Sequence, residues 1–570
     1  MTTVPSKTKI NHRQPARIIW IVWGFFTIIL GSLALYFAFL YEEGGWLPHF
    51  GQQMEFLGVV ASLILWWLIT QLFILIFVRK WLLRWLGGTF LCVVSFCILF
   101  RFEEMDGDMV PKFGWRWASG DRDNPIPSIA SSPGTNSDSD SDSDSAAFAV
   151  HSTGYWNSFP QFQGSNRDCV ISGSDKPHLS QDWSVQPPEI RWIQDTGEGF
   201  SGFVIDGQGR AYSMSQSTDN PGNELSFCLD VGTGQEIWSH PVAARFENTL
   251  GGTGPRATPA LDGDRVYFLG ATGELICRNA SDGMALWQVN IASEFGAEIP
   301  EWGYAGSPLI YNDLVIIAPG GSDSASIVGL DKITGKTIWL SGQDPVSWSS
   351  PVILGIHGRD VLVHLNQKAV EFRIPDDGML LASHPFGRKW PQVSIPVLWE
   401  NDSVLVSAGY GVGADLIRLN PRLSKENDDQ KVAGKSHEPN SLAIEKRWST
   451  RRLRSKFAPM VPVDSERLVG LNDGVLVCLD MSNGKRLFEG DRYGHGQFLL
   501  INSPVKPILL LMDEQGTLHK IKVDENEFSP DGSLKVFGSK TWNPPALSGQ
   551  YLLVRNHRQM ALVSLPSGTD

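Results

Sequence analysis

The feature that most constrains the fold is a short phrase that recurs between residues 230 and 488. In its first copy an acidic residue, a Gly and a Trp are spaced evenly, as Asp230, Gly234 and Trp238. Each copy lies between two short apolar runs, so the Gly marks a tight turn between antiparallel strands. The phrase therefore predicts a repeated β-hairpin. Its further copies are Asn279, Gly283 and Trp287; Asp331, Gly335 and Trp339; and, degraded, Asp480, Gly484 and Phe488.

A second pair of apolar strands precedes most of these hairpins. It begins at a small residue followed by Pro, as at Thr258, Ser307 and Ala458. Four strands in about 45 residues are the period of a propeller blade, which covers its two faces only by packing against neighbouring blades. We predict about eight blades, with seven as the alternative because the fourth and seventh units match the phrase poorly. Their first strands are expected near Gly202, Ala257, Ser307, Ser350, Ile395, Ala458, Asn502 and Leu547.

The recurring phrase resembles the tryptophan-docking repeat of the PQQ-type (pyrroloquinoline quinone) β-propellers, whose pattern is Ala-x-Asp-x-x-Thr-Gly-x-x-x-Trp. Thr233 and Thr334 match the Thr of that pattern, and Cys228 stands where it has Ala. The resemblance covers most of residues 151–570 and implies an all-β, PQQ-like propeller. It implies no single function, because the family includes quinoprotein dehydrogenases and also non-enzymatic members, such as the lipoprotein of the outer-membrane barrel assembly machinery. Stretches from Trp156 and from Phe246 are similar to a bacterial subgroup of PQQ-like repeat proteins.

The two ends of the repeat region are incomplete, which indicates how the ring closes. A lone apolar strand, EIRWIQD, begins at Glu189 ahead of the first unit, and the last unit ends without its fourth strand. Propellers commonly close by letting one end of the chain complete the blade begun by the other. We therefore expect these two fragments to form one blade.

Three apolar stretches, 18–40, 56–78 and 81–100, precede the repeats, and each is long enough to cross a bilayer as a helix. Basic residues precede the first stretch and acidic residues follow the third, so the positive-inside rule places the N-terminus in the cytoplasm. We predict a cytoplasmic segment 1–17, three transmembrane helices within 18–101, an acidic Ser/Asp-rich disordered linker 102–150 and an exported propeller 151–570. The expected location is the inner membrane of a bacterium, with the propeller on the periplasmic side.

Charge and cysteine content limit the partners. The formal charge of -13 argues against a nucleic-acid partner, and the expected partners are the membrane and other envelope proteins. Cys228, Cys277 and Cys478 occupy equivalent positions in different blades, which would hold them too far apart for disulfides. Cys169 is the candidate for a free or transiently paired thiol.

In a propeller, every connection from a fourth strand to the next first strand reaches the same face, at the mouth of the central channel. Arg pairs with carboxylates and Trp stacks on planar groups, so this mouth is predicted to bind a flat or anionic ligand. Arg256 and Arg388 are expected to approach such a ligand from two sides. In the alternative, the Trp residues fill the channel and the basic groups pair with nearby acids. The candidate ligand-binding residues are Arg256, Trp302, Tyr304, Trp348, Arg388, Trp390, Arg454 and His495.

A quinoprotein dehydrogenase would also need a calcium ion held by oxygen ligands and an Asp as general base. Asp344 is the candidate for that base, but the sequence shows neither a full calcium set nor the adjacent Cys pair found in many quinoprotein alcohol dehydrogenases. We expect no metal site and no cofactor, with PQQ and calcium as the alternative. The resulting interpretation is a membrane-anchored, exported scaffold for binding or assembly rather than an enzyme. The alternative is a PQQ-dependent, membrane-bound alcohol or sugar dehydrogenase.

Overall fold

A computed structural model describes the chain in segments that form two compact units, Met1–Asp121 and Arg122–Asp570. Most of the first two predicted membrane stretches and most of the predicted linker lie outside the described residues, as do Arg388, Trp390 and residues 422–440. The described residues are 67–68, 81–105, 111–115, 156–173, 176–177, 179, 182–183, 185–321, 324–387, 391–421, 441–502 and 506–568.

In the first unit, helix α1 (Trp81–Leu99) coincides with the third apolar stretch. An antiparallel hairpin of β1 (Phe100–Met105) and β2 (Pro111–Trp115) follows it, at the start of the segment predicted as linker. Within the described residues, no helix combines the length and the apolar character needed to cross a bilayer.

The second unit is an eight-bladed β-propeller, which confirms the predicted all-β fold and selects eight blades over seven. Each blade has four antiparallel strands, and the fourth strand is the most exposed, so the first strands line the channel. Ahead of the blades lie β3 (Val170–Ile171) and β4 (Glu189–Asp195).

The first four blades follow one another along the chain. Blade 1 contains β5 (Val204–Ile205), β6 (Arg210–Gln216), β7 (Asn223–Asp230) and β8 (Glu236–Ala243); a short hairpin of β9 (Glu247–Asn248) and β10 (Gly252–Thr253) follows; blade 2 contains β11 (Ala260–Asp262), β12 (Arg265–Leu269), β13 (Glu274–Asn279) and β14 (Ala285–Asn290), followed by α2 (Ile291–Glu294); blade 3 contains β15 (Leu309–Tyr311), β16 (Leu314–Ile317), β17 (Ile327–Asp331) and β18 (Thr337–Ser341); blade 4 contains β19 (Val352–Ile356), β20 (Arg359–Leu365), β21 (Ala369–Arg373) and β22 (Leu380–Pro385).

The remaining blades complete the ring. Blade 5 contains β23 (Val397–Trp399), β24 (Ser403–Ala408), β25 (Gly413–Pro421) and β26 (Leu442–Thr450); blade 6 contains β27 (Met460–Pro462), β28 (Arg467–Asn472), β29 (Val475–Asp480) and β30 (Lys485–Arg492); blade 7 contains β31 (Gln497–Ile501), β32 (Ile508–Met512), β33 (Thr517–Val523) and β34 (Phe528–Lys535); blade 8 contains β35 (Ala546–Ser548), β36 (Tyr551–Arg555) and β37 (Gln559–Ser564), with β4 as its fourth strand.

The ring closes as predicted. The strand from Glu189, β4, pairs antiparallel with β37, and Trp192 lies opposite Leu562. One end of the propeller therefore supplies the outer strand of the blade that the other end begins, and neither sheet edge is left open inside the ring.

In five of the eight blades, a Trp on the fourth strand joins the blade to the one that follows it. Trp238 donates from Nε1 to the Ala280 carbonyl at 3.1 Å, and its ring lies against Gly283. A Cβ on Gly283 would lie 2.5 Å from that ring, so only Gly fits this position. The same packing against the glycine of the next blade is made by Trp192 on Gly234, Trp287 on Gly335, Trp339 on Gly378 and Trp448 on Gly484.

The acidic residue of the phrase shapes the turn. The carboxylate of Asp230 accepts hydrogen bonds from the backbone N–H of Thr233 at 2.8 Å and from its hydroxyl at 2.9 Å. Asp331 and Thr334 repeat this arrangement. Such side-chain to backbone bonds stabilise a tight turn, and the Gly then adopts a positive φ, +73° at Gly234.

Residues 156–173 occupy the central channel, which the sequence analysis did not predict. Phe159 bridges Ile205 on the first strand of blade 1, and the N–H of Leu261 in blade 2 donates to the Pro160 carbonyl at 2.7 Å. β3 then adds to blade 7 as a fifth strand, parallel to β31. This segment of the chain therefore fills the central channel.

Candidate functional site

The mouth of the channel holds a pair of indoles in contact, with their planes tilted by 36°. The rings of Trp302 and Trp348 have centroids 4.7 Å apart, and Trp348 donates from Nε1 to the Gly303 carbonyl at 3.0 Å. These residues precede the first strands of blades 3 and 4, so the predicted convergence of the connections brings them together.

Arg256 lies beside this pair and holds a glycine-rich loop. Its Nη2 atom donates to the Gly251 and Gly252 carbonyls, both at 2.8 Å, and its Nη1 atom donates to the Gly254 carbonyl. The guanidinium also lies 4.7 Å from the centroid of the Phe246 ring. Burial lowers the pKa of Arg256 to about 10, although the nearby Glu224 opposes this change.

Aromatic rings continue from Arg256 to the opposite side of the mouth. The guanidinium lies 5.6 Å from the Phe200 ring, whose centroid is 5.4 Å from that of Trp542. Phe457 packs edge-on against Trp542 with centroids 5.2 Å apart. The ammonium of Lys540 lies 4.3 Å from the Trp542 ring, a typical cation–π geometry.

The carboxylate of Glu514 links two residues on this second side of the mouth. One of its oxygens accepts from Nε1 of Trp542 at 2.8 Å, and the other accepts from the backbone N–H of His495 at 3.1 Å. His495 is buried, with its ring 5.3 Å from that of Phe457. We define the aromatic-basic belt as Phe200, Arg256, Trp302, Trp348, Phe457, His495, Lys540 and Trp542.

Three other predicted residues are engaged within the fold. Tyr304 is buried and donates its hydroxyl hydrogen to the Pro319 carbonyl at 3.2 Å, and burial raises its pKa to about 12. Arg454 forms an ion pair with Asp473 at 3.0 Å. Asp344, the candidate general base, forms an ion pair with Lys368 at 2.7 Å. The aromatic-basic belt therefore contains four of the predicted residues, Arg256, Trp302, Trp348 and His495. Two others, Arg388 and Trp390, lie outside the described residues.

The sequence analysis missed members of the site that come from a second kind of connection. Glu514 lies in the turn between β32 and β33, the second and third strands of blade 7. Such turns reach the same face as the connections between blades, so they should be searched along with those connections. Lys540 and Phe457 do lie in connections between blades, but a lone Lys and a Phe carry no distinctive pattern.

Among the described residues, the polar side chains at the mouth suit an anion rather than a calcium ion. Among the described residues no three His, Cys, Asp or Glu side chains come together in a way that could hold a metal ion. The carboxylate of Glu514 accepts from Trp542 and His495, and that of Asp344 accepts from Lys368. Arg256 and Lys540 suit an anion, but a calcium ion would need several oxygen ligands there.

The fold and the docking tryptophans define the class, a tryptophan-docked eight-bladed propeller. Residues 223–489 match the family model described as outer membrane protein assembly factor BamB. This match confirms, over that part of the chain, the resemblance to PQQ-type β-propellers that the recurring phrase predicted. No curated protein sequence matches it.

Solved structures with a related fold include both assembly factors and enzymes. BamB from Moraxella catarrhalis is 13% identical over 66% of this chain and 99% of its own, with a TM-score of 0.45. A europium-containing methanol dehydrogenase is 11% identical over 71% of this chain and 98% of its own, with a TM-score of 0.38. A quinohemoprotein alcohol dehydrogenase from Comamonas testosteroni is 12% identical over 72% and 81%, with a TM-score of 0.36. These values do not decide between the two functions.

Proposed function

We propose that this protein is a binding scaffold of the bacterial cell envelope. Its N-terminal apolar stretches anchor it in the inner membrane, and the charge asymmetry around them directs the propeller to the periplasmic side. The match of residues 223–489 to an assembly-factor family model supports a role in holding other envelope proteins. The membrane anchor is an inference from the amino-acid sequence.

The observation that carries the proposal is the aromatic-basic belt. Trp and Arg dominate the energy of protein interfaces because they offer large apolar area together with directed hydrogen bonds. In the belt, the Trp302–Trp348 pair and the guanidinium of Arg256 lie at the same mouth, within a rigid ring of blades. An extended partner segment with acidic and aromatic side chains fits this chemistry.

A PQQ-dependent dehydrogenase is the competing function. PQQ is a planar tricarboxylate, so Arg256 and Lys540 are suitable partners for it. Catalysis in such enzymes also depends on calcium and on a general base, and the candidate base, Asp344, has its carboxylate in an ion pair with Lys368. The belt therefore supports binding better than it supports this oxidation.

Calorimetry and a dye-linked assay on the full-length, detergent-purified protein separate the two functions. PQQ is titrated with and without calcium, and alcohols and sugars are then tested as electron donors, with an authentic quinoprotein dehydrogenase as positive control. We expect no calcium-dependent, stoichiometric binding below about 1 µM and no dye reduction. Calcium-dependent, stoichiometric PQQ binding below that concentration, or reduction of the dye, would instead establish the dehydrogenase function.

A further inference from the structure

The segment in the channel is built into the propeller at both ends. At the end away from the mouth, the ring of Trp156 packs on Tyr551 with centroids 5.2 Å apart, and it covers Gly209 in the turn that follows the first strand of blade 1. Asn157 exchanges two hydrogen bonds with the Ser548 hydroxyl, both 2.8 Å long. This end is therefore fixed to blades 1 and 8.

Arg167 fixes the other end of the segment. From inside the channel its guanidinium donates to the Pro351 carbonyl at 2.7 Å, and also to the carbonyls of Ser307 and Pro308. Its Nε atom donates to the side chain of Gln161 at 3.0 Å. The side chain is 3% exposed, and each of these acceptors is uncharged. Hydrogen bonds from a buried charged group are the strong kind, and losing them is costly.

Arg167 binds carbonyls in the connections that lead into the first strands of blades 3 and 4. The same connections contain Trp302 and Trp348. Ser307 follows Trp302 by five residues, and Pro351 follows Trp348 by three. These two connections are also joined to each other, because the Ser307 N–H donates to the Ser350 hydroxyl at 2.9 Å. Arg167 thus bridges blades 3 and 4 next to the place where the rings of Trp302 and Trp348 pack together.

We propose that residues 156–171, here called the strap, couple the far end of the channel to the mouth, with Arg167 positioning the Trp302–Trp348 pair. The chain enters the propeller through the strap, so a change in the strap at Trp156 alters the binding site at the mouth. This coupling concerns the geometry of the mouth and holds whichever partner the mouth binds.

The strap contains its own reporter, Cys169. Its thiol is 2% exposed and burial raises its pKa, so it should resist alkylation while the strap is docked. Cys277 is buried within blade 2 and reacts only if the propeller opens. Peptide-resolved thiol labelling by mass spectrometry therefore distinguishes release of the strap from global unfolding.

The test loosens the strap at its far end in the full-length protein by Trp156→Ala. We expect labelling of Cys169 to rise at least tenfold while that of Cys277 stays at the wild-type level. Hydrogen exchange of the Ser307 and Trp348 amides should then quicken by about tenfold, because Arg167 holds the carbonyls of Ser307 and Pro351 less firmly and Pro351 follows Trp348 by three residues. If Cys169 reacts while these amides exchange at the wild-type rate, the coupling does not exist.

A second variant approaches the same coupling from the mouth. Arg167→Met removes the charge and its hydrogen bonds at similar volume, and it should quicken the same two amides by about tenfold to a hundredfold. Arg486→Met, on the exposed outer strand of blade 6, is the matched control and should change neither amide. Should labelling of Cys277 show that Arg167→Met or Trp156→Ala unfolds the propeller, Arg167→Lys and Trp156→Phe take their place. Unchanged exchange at Ser307 and Trp348 in both milder variants would refute the proposal.

Discussion

The indole of Trp192 lies against Gly234, and its Nε1 donates to the Val231 carbonyl at 2.9 Å. These residues join the fourth strand of blade 8 to the turn of blade 1, and that fourth strand, β4, pairs with β37 from the other end of the repeat region. The docking used between successive blades therefore also seals the ring.

Loss of this seal should destabilise the whole propeller. Trp192→Ala removes a large ring and a hydrogen bond, and we expect the free energy of unfolding to fall by about 3 kcal/mol in urea titrations. Ile338→Ala is the control, because that side chain is 57% exposed on the outer strand of blade 3 and should cost less than about 0.5 kcal/mol. Equal effects of the two changes would contradict the role of Trp192.

Removal of residues 546–570 should unfold the propeller rather than trim it. These residues include β35, β36 and β37, without which β4 has no partner strand and blades 1 and 7 each expose a face. Circular dichroism of the truncated protein is expected to show loss of the cooperative thermal transition. A truncated protein that melts at the wild-type temperature would rule out this mode of closure.

Substitutions at two glycines distinguish the free-energy cost of a positive φ in a turn from the cost of a clash with a docked Trp. Gly263 and Gly283 both have positive φ, but a Cβ on Gly263 meets nothing within 4 Å, whereas one on Gly283 would lie 2.5 Å from Trp238. Gly263→Ala should therefore cost about 1 kcal/mol and Gly283→Ala about 3 kcal/mol of unfolding free energy. Similar costs in urea titrations would show that the close approach of Trp238 is not required.

The repeats were predictable because turn and docking chemistry share one local phrase. The closing blade was predictable too, because the strand from Glu189 belongs to no unit and the last unit lacks a fourth strand. In blade 7 the prediction placed the first strand near Asn502, next to a Ser-Pro pair, whereas β31 spans Gln497–Ile501 and ends ahead of that pair. There the Ser-Pro pair follows the strand instead of introducing it.

The channel segment could not be predicted from local patterns. Residues 156–171 belong to no repeat, and their partners are far away along the chain, as with Asn157 and Ser548. Arg167 carries no local sequence signal, because its burial depends on carbonyls of blades 3 and 4. The aromatic-basic belt was predicted in part, since Trp302, Trp348 and Arg256 precede first strands.

Glu224 should make the stability depend on pH. Burial raises its pKa from 4.5 to about 7, although the Ala271 amide and the charge of Arg256 lower it and Glu274 raises it further. Because its pKa is raised in the folded state, its contribution is fully present below pH 4.5 and is lost as the pH rises through 7. The change corresponds to about 3 kcal/mol.

Comparison with Glu224→Gln isolates this effect. The unfolding free energy of the wild type relative to this variant should fall by about 3 kcal/mol between pH 4 and pH 9, measured by urea titration at each pH. Glu236→Gln, at an exposed position on β8, is the control and should differ from the wild type by the same small amount throughout. A constant difference for Glu224→Gln, or one that grows in favour of the wild type at high pH, would show that the carboxyl is ionised when buried.

Photo-crosslinking in living cells tests the central claim that the mouth binds a partner. A benzophenone amino acid replaces Glu301, which is exposed next to Trp302, or Leu487, which is exposed on the outer strand of blade 6. We expect a discrete crosslinked envelope protein from position 301 and not from position 487, with a yield reduced about tenfold by Arg256→Met. Equal crosslinking from both positions, or a yield that Arg256→Met leaves unchanged, would contradict a binding site at the mouth.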